Sequence, residues 1–161
     1  MMAWELAQLN IGRVVAPLDS PALHGFTSML DHINQLAEQS PGFVWRLQSE
    51  SGNATDVPFD DDPLLIANLS VWRSVEDLRS YVYAGEHLQM LRQRKQWFSH
   101  RPGPNQVLWW VPAGHRPSLT EAKAALALLA LNGPTAHAFT FAQPQAAPRE
   151  SDKLIPIYVP H

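Results

Sequence analysis

Polar and apolar positions alternate along the first segment, Ala3 to Val15, in the manner of a strand. Trp4, Leu6, Gln8, Asn10 and Gly12 share one face, while Glu5, Ala7, Leu9 and Ile11 share the other. Asn10 is thus a polar residue inside an apolar strand, on the face of Trp4. Ser20-Pro21 then predicts a helix start, an N-cap followed by proline at the first helical position. Leu23, Phe26, Leu30, Ile33 and Ala37 recur at three- and four-residue spacing and give that helix one apolar stripe, which stops before Pro41-Gly42. Phe43 to Gln48 predicts a second strand, with Phe43, Trp45 and Leu47 on one face and Val44, Arg46 and Gln48 on the other.

Ser49 to Pro63 carries Gly52-Asn53, prolines and three successive aspartates, and reads as a long hairpin connection. Calcium loops place their ligands at alternating positions around a glycine turn, and that pattern is absent here. The third strand, Leu64 to Val71, points Ile66, Asn68, Ser70 and then Trp72 one way, and Leu65, Ala67, Leu69 and Val71 the other. An Asn, a Ser and a rim Trp on one face are unusual for a plain core. Ser74 is placed to cap the next helix, with acidic Glu76 and Asp77 in its first turn, where the dipole favours them. The first segment of that helix is expected to end at Gly85 and to deliver His87; beyond it Leu88, Leu91 and Phe98 share one stripe, with Met90 and Trp97 beside it. Asn105 to Pro112 is apolar on both faces and is expected to be a central strand. Ser118-Leu119-Thr120-Glu121 is a capping box opening an Ala/Leu-rich helix to Leu131, and His137 to Phe141 is a short fifth strand or edge segment.

The order β-α-β-β-α-β with an extra helix and strand implies an α+β, ferredoxin-like split βαβ sandwich. One domain over residues 1–143 and a proline-rich tail over 144–161 are expected, with Leu154 to Val159 as an added edge strand or a segment lying on a partner. Neither sheet face reads as wet, so a homodimer packing sheet against sheet is expected to cover the second one.

Composition narrows the function. Net charge is −3 with no block of Lys or Arg, so there is no electrostatic footprint for nucleic acid or an anionic membrane. Cysteine is absent, which removes disulfides, thiolate ligation and cysteine nucleophiles. No signal peptide is visible, and the longest apolar run, Ala122 to Leu131, contains Lys123 and is too short to cross a bilayer, so a soluble, cytoplasmic protein is expected. Six tryptophans are the odd number: indoles suit surfaces where apolar and polar groups meet a planar ligand, and equally a core or dimer interface rich in Trp. No Gly-rich phosphate loop, Gly-x-Ser-x-Gly elbow or His-x-x-x-His pair occurs.

Pro41-Gly42-Phe43-Val44-Trp45-Arg46-Leu47, Leu108-Trp109-Trp110-Val111-Pro112-Ala113-Gly114-His115 and Gly133-Pro134 with Ala138-Phe139-Thr140-Phe141 resemble a family of bacterial proteins of unknown function. That family is related to the antibiotic-biosynthesis monooxygenases of the dimeric α/β-barrel group. The resemblance covers Ala3 to Phe141 and implies a dimer of ferredoxin-like subunits, with a pocket between sheet and helices. Cofactor-free members of the group oxidise electron-rich polycyclic phenols, with Asn and Trp lining the pocket. Haem-degrading members use an Asn on the first strand, a Trp ending the third and a His on the second helix as iron ligand. Asn10, Trp72 and His87 stand at those positions here and are the candidate catalytic residues, His87 serving as acid/base or, with haem, as its axial ligand.

Trp45, Asn68, Tyr81, Trp97, Trp109 and His115 are candidate substrate-binding residues. His115 precedes a helix N-terminus and can meet an anion there or brace its own loop. Three functions stay open: a monooxygenase-like enzyme acting on a flat, mainly apolar or aromatic small molecule without cofactor; a haem protein; and a dimeric small-molecule binding protein without chemistry.

Overall fold

The computed structural model describes residues 3–48 and 59–148, with the side chains of Glu86 and His87 left outside that description. The expected turn at Gly52-Asn53 and the expected segment Leu154 to Val159 lie outside the described residues. Strand β1 runs Trp4–Val14; a 3-10 turn, Pro21–Leu23, leads into α1, His24–Gln39. Then follow β2 (Phe43–Arg46), β3 (Leu65–Trp72), α2 (Val75–Val82), α3 (Gly85–Arg92), α4 (Arg94–Trp97), β4 (Phe98–Ser99), β5 (Gln106–Pro112) and α5 (Leu119–Asn132).

β1 is central. It pairs antiparallel with β3 along one edge and with β4 and β5 in succession along the other, while β2 pairs with β3. The fold is therefore α+β and ferredoxin-like, as the element order required. Apolar β5 is an outer strand rather than a central one. Its outer edge is met by Phe139, whose backbone exchanges both hydrogen bonds with Leu108 at 2.9 and 2.8 Å, and its apolarity reflects two covered faces, Val107, Trp109 and Val111 under α5 and Leu108 and Trp110 beside Phe139. The expected fifth strand reduces to this bridge and one between Thr135 and Ala138.

Strand alternation sorts the sheet into two faces as expected for β1 and β3. Ala7, Leu9, Ile11, Leu65, Ala67, Leu69, Val71, Val107, Trp109 and Val111 face one way and pack under Ala122, Ala125, Leu126 and Leu129 of α5. This is the face for which a second copy was expected, and the chain's own fifth helix covers it. The opposite face meets α1 to α4. On β2 the alternation fails: a bulge between Phe43 and Trp45 sets Phe43 opposite Trp72 but Trp45 opposite Val71, so these two aromatics lie on different faces.

Helix ends follow the sequence closely. Ser74 Oγ accepts from the Asp77 N–H at 3.1 Å, and Ser118 Oγ from the Glu121 N–H at 3.1 Å. Gly42 turns the chain out of α1 with φ +83°, and a Cβ there would collide with the Asp77 carboxylate. Gly85 begins α3 rather than ending α2, which closes at Val82. Phe98 belongs to a short strand, not to a helical stripe: its ring lies over Gly12, where a Cβ would stand 2.6 Å from it.

Candidate functional site

Between the sheet and α1 to α4 lies a cleft of about 340 Å³, within the range that small-molecule sites occupy. Its walls are apolar: Phe26, Leu30 and Ile33 from α1, Leu78 and Tyr81 from α2, Met90 and Leu91 from α3, with Phe43, Phe98 and Phe141 at the ends. Its floor is not. Gln8 and Asn10 from β1, Asn68 and Ser70 from β3, and Gln106 from β5 form a polar patch in the middle of the sheet. Register explains the grouping, because Gln8 pairs with Ser70 and Asn10 with both Asn68 and Gln106. The patch divides the apolar residues of this face into two separate clusters, one around Leu6, Trp72 and Phe139 and one around Val14, Phe26 and Trp97.

Gln8 organises the floor. It is buried, and a buried amide is tolerated only when its hydrogen bonds are made. Its Nε2 donates to Asn68 Oδ1 at 2.7 Å and to Ser70 Oγ at 2.9 Å, and its Oε1 accepts from Gln106 Nε2 at 3.5 Å. Trp72 Nε1 also donates to Ser70 Oγ, at 2.9 Å. An indole N–H can only donate, so Ser70 Oγ accepts twice and its own O–H is left to donate elsewhere. With Asn68 Oδ1 occupied by Gln8, the Asn68 NH₂ is likewise the end free to turn toward a ligand. Asn10 and Asn68 are both exposed in the cleft.

Trp72 is 1% exposed. Tyr81 stacks on it, with centroids 5.2 Å apart and planes at 25°, and Phe43 meets it edge-on at 5.5 Å. The indole is therefore a wall that orients Ser70, not an open platform for a ligand. Tyr81 donates its hydroxyl to the Ile33 carbonyl at 3.1 Å, tying α2 to α1 across the cleft. Burial pushes the Tyr81 phenol well above its usual range, against a smaller opposing pull from Arg46.

Of the residues expected from the sequence, Asn10, Asn68, Trp72 and Tyr81 come together here. Position 87 lies in α3, one turn before Met90 and Leu91, which line the cleft; the His87 side chain is outside the described residues. Trp45, Trp97, Trp109 and His115 are not brought to the cleft. The β2 bulge sends Trp45 to the α5 face. Trp97 packs against Gly25 and Phe26. Trp109 lies under α5 and donates Nε1 to Glu121 Oε2 at 3.0 Å, while His115 Nε2 meets Glu121 Oε1 at 2.6 Å. His115 thus braces its loop against the buried carboxylate of the capping-box residue. Gln8, Ser70, Arg46 and Gln106 were missed as site residues. The period-two signal placing Gln8 beside Asn10, and Ser70 beside Asn68, was available for two of them.

Among the described residues, no group of three or more His, Asp or Glu is placed to hold a metal ion, and no helix is long and apolar enough to cross a membrane. Asp62 of the aspartate run is a turn scaffold. Its carboxylate accepts from the Leu64 N–H at 3.0 Å and from Arg13 Nε at 2.8 Å, and these bonds hold its pKa below the ordinary value.

The family model of a domain of unknown function, DUF3291, matches residues 5–154, from the first strand past α5. The chain belongs to the DUF3291 family. This agrees with the family without assigned activity expected from the Trp- and Pro-bearing motifs. No curated protein matches the chain. Among solved structures, the DUF3291 chain is similar to SnoaB, a cofactor-independent oxygenase from Streptomyces nogalater, with 18% identity over 73% of this chain and 98% of that one and a TM-score of 0.42. It is also similar to PA3566 from Pseudomonas aeruginosa, with 12% identity over 73% and 99% of the two chains and a TM-score of 0.45. Rv0793 from Mycobacterium tuberculosis shows 12% identity over 71% and 99%, again with a TM-score of 0.45.

Proposed function

We propose that the cleft is the active site of a monooxygenase-like enzyme acting on a flat, mainly apolar small molecule. The observation that carries this reading is the carboxamide and hydroxyl floor set between apolar walls in the centre of the sheet. A core position gains nothing from exposed Asn10 and Asn68, whereas a ligand oxygen gains donors already held in place by Gln8 and Trp72. The reaction class needs no electrons from outside. An activated substrate methylene becomes a carbonyl, one atom of dioxygen entering the product and the other leaving as water with the two methylene hydrogens. In this reading Asn10 and Asn68 contact the substrate oxygen, Trp72 positions Ser70, and His87 takes or returns the proton.

The test is dioxygen uptake by the purified protein with a panel of tricyclic phenols and anthrones, beside Asn68→Ala. Uptake of one dioxygen per substrate, reduced about a hundredfold in the variant, is expected, a loss on the scale of removing one preorganised donor. A saturably bound panel with no uptake above the buffer rate overturns the catalytic reading and leaves a binding protein. The reading includes a homodimer, whose interface lies away from the face covered by α5; sedimentation equilibrium giving a monomer at micromolar concentration would remove that part.

The second reading is haem binding with His87 as axial ligand. Its support is the helical phase of position 87 relative to Met90 and Leu91, together with apolar walls that suit a flat macrocycle. Haem when bound would supply redox chemistry to the cleft, with the Asn10 and Asn68 amides beside it. A haemin titration separates the readings: a saturable one-per-chain Soret shift lost in His87→Ala favours haem, and unsaturable binding unchanged by the variant rejects it.

A further inference from the structure

The charge of the cleft runs against that of the chain. Net charge is −3, yet the charged residues lining the cleft are Arg46 and Arg94, and no Asp, Glu, Lys or His lines it among the described residues. Arg94 is exposed. Arg46 is different: its side chain is only 11% exposed, and Nε and Nη2 both reach Glu38 Oε1 at 3.2 Å. Glu38 is 44% exposed at the rim. A guanidinium offers five N–H donors, and this one oxygen engages two groups on one side of it. The remaining donors have no hydrogen-bond partner among the described residues.

Register sets Arg46 beside the polar floor. Arg46 pairs with Ser70, Ser70 with Gln8, and the next row holds Asn68, Asn10 and Gln106. Adjacent strands lie about 4.8 Å apart, so a flat ligand across two or three strands reaches Arg46 at one end and the carboxamides at the other. We infer that the ligand is an aromatic or similarly flat organic acid whose carboxylate docks on Arg46. This deepens the reading of the cleft as a small-molecule site and rests on it. Desolvating a carboxylate in an apolar-walled cleft is unfavourable unless a cation is waiting, and a guanidinium already withdrawn from water gives more there than a surface one would. The planar fork also matches a carboxylate better than the point charge of a lysine does. Arg46 is then a specificity-determining residue, with Glu38 as the rim carboxylate that competes for it.

The probes are 2-naphthoate and its neutral isostere 2-naphthamide, titrated calorimetrically into the full chain. Naphthoate is expected to bind once per chain and at least tenfold more tightly than the amide. Arg46→Gln should bring naphthoate down to the affinity of the amide while leaving the amide within about twofold. Glu38→Gln, which removes the competitor and leaves Arg46 in place, should tighten naphthoate several-fold. Equal affinity for the two probes, or a preference for naphthoate that survives Arg46→Gln, overturns the assignment to Arg46 and leaves the small-molecule site standing. Absence of saturable binding by either probe overturns both.

Discussion

On the α5 side of the sheet, alternate residues of β1, β3 and β5 form one continuous apolar core; on the cleft side, the residues between them form two apolar clusters with a polar floor between. The same strands carry both. The difference shows how one sheet carries a sealed face and an open one: the sealed face supplies the burial, and the cleft face gives up its centre to amides and a hydroxyl. Register holds the division, because a slip of one residue would exchange the faces.

The comparison breaks most visibly at neighbouring residues. Leu69 is 1% exposed on the sealed face, and Leu69→Ala should destabilise the chain by about 2–5 kcal/mol. Asn68→Ala, one residue away on the cleft face, should change stability by less than about 1 kcal/mol, since Asn68 is exposed and the buried Gln8 amide keeps Ser70 Oγ at 2.9 Å and the residue-68 backbone carbonyl at 3.4 Å as acceptors. Urea unfolding of the two variants measures this; equal losses would mean the cleft floor is structural.

Next in size is the polar knot of Trp109, Glu121 and His115 under α5. Trp109→Phe keeps a ring in the core but removes the donor to buried Glu121, leaving that oxygen without its partner at a cost of about 1–3 kcal/mol. Denaturant midpoints for Trp109→Phe and for Trp109→Phe with Glu121→Gln check it, the second change recovering part of the loss.

The smallest effect is one of pH on the cleft side. Burial raises the Tyr81 phenol in the folded chain above its ordinary value of 10.0. The unfolded chain then releases that proton first as pH rises, so the contribution of Tyr81 is fully present below pH 10.0 and declines above it. Tyr81→Phe should flatten that alkaline decline in a series of melts, and an unchanged decline would show that the phenol is not the cause.

Much of this arrangement was legible beforehand. The faces of β1 and β3 and the caps at Ser74 and Ser118 follow from period-two alternation and local capping chemistry, and the meeting of Asn10 with Trp72 is what the family resemblance implied. What stayed hidden depends on partners distant in sequence. The β2 bulge leaves no local signal, so Trp45 and Phe43 looked alike until pairing with β3 separated them. The apolar β5 looked central because an outer strand with both faces covered, by α5 on one side and by Phe139 on the other, has the same side-chain pattern. α5 is apolar around much of its surface, and only the fold shows that it takes the face for which a second copy was expected. Arg46 was read as lying opposite Trp45, but which of those faces held the cleft was not in the sequence.

The central claim is that the polar floor serves a ligand at some expense to stability. Its most direct test is thermal unfolding of the wild type and Asn68→Val, each with and without saturating 2-naphthol. A β-branched apolar residue suits a central strand between apolar walls better than an amide does. The variant should therefore melt a few degrees higher, and the rise in midpoint that 2-naphthol gives the wild type should vanish in it. A variant that melts several degrees lower while keeping the full ligand-induced rise would contradict the account.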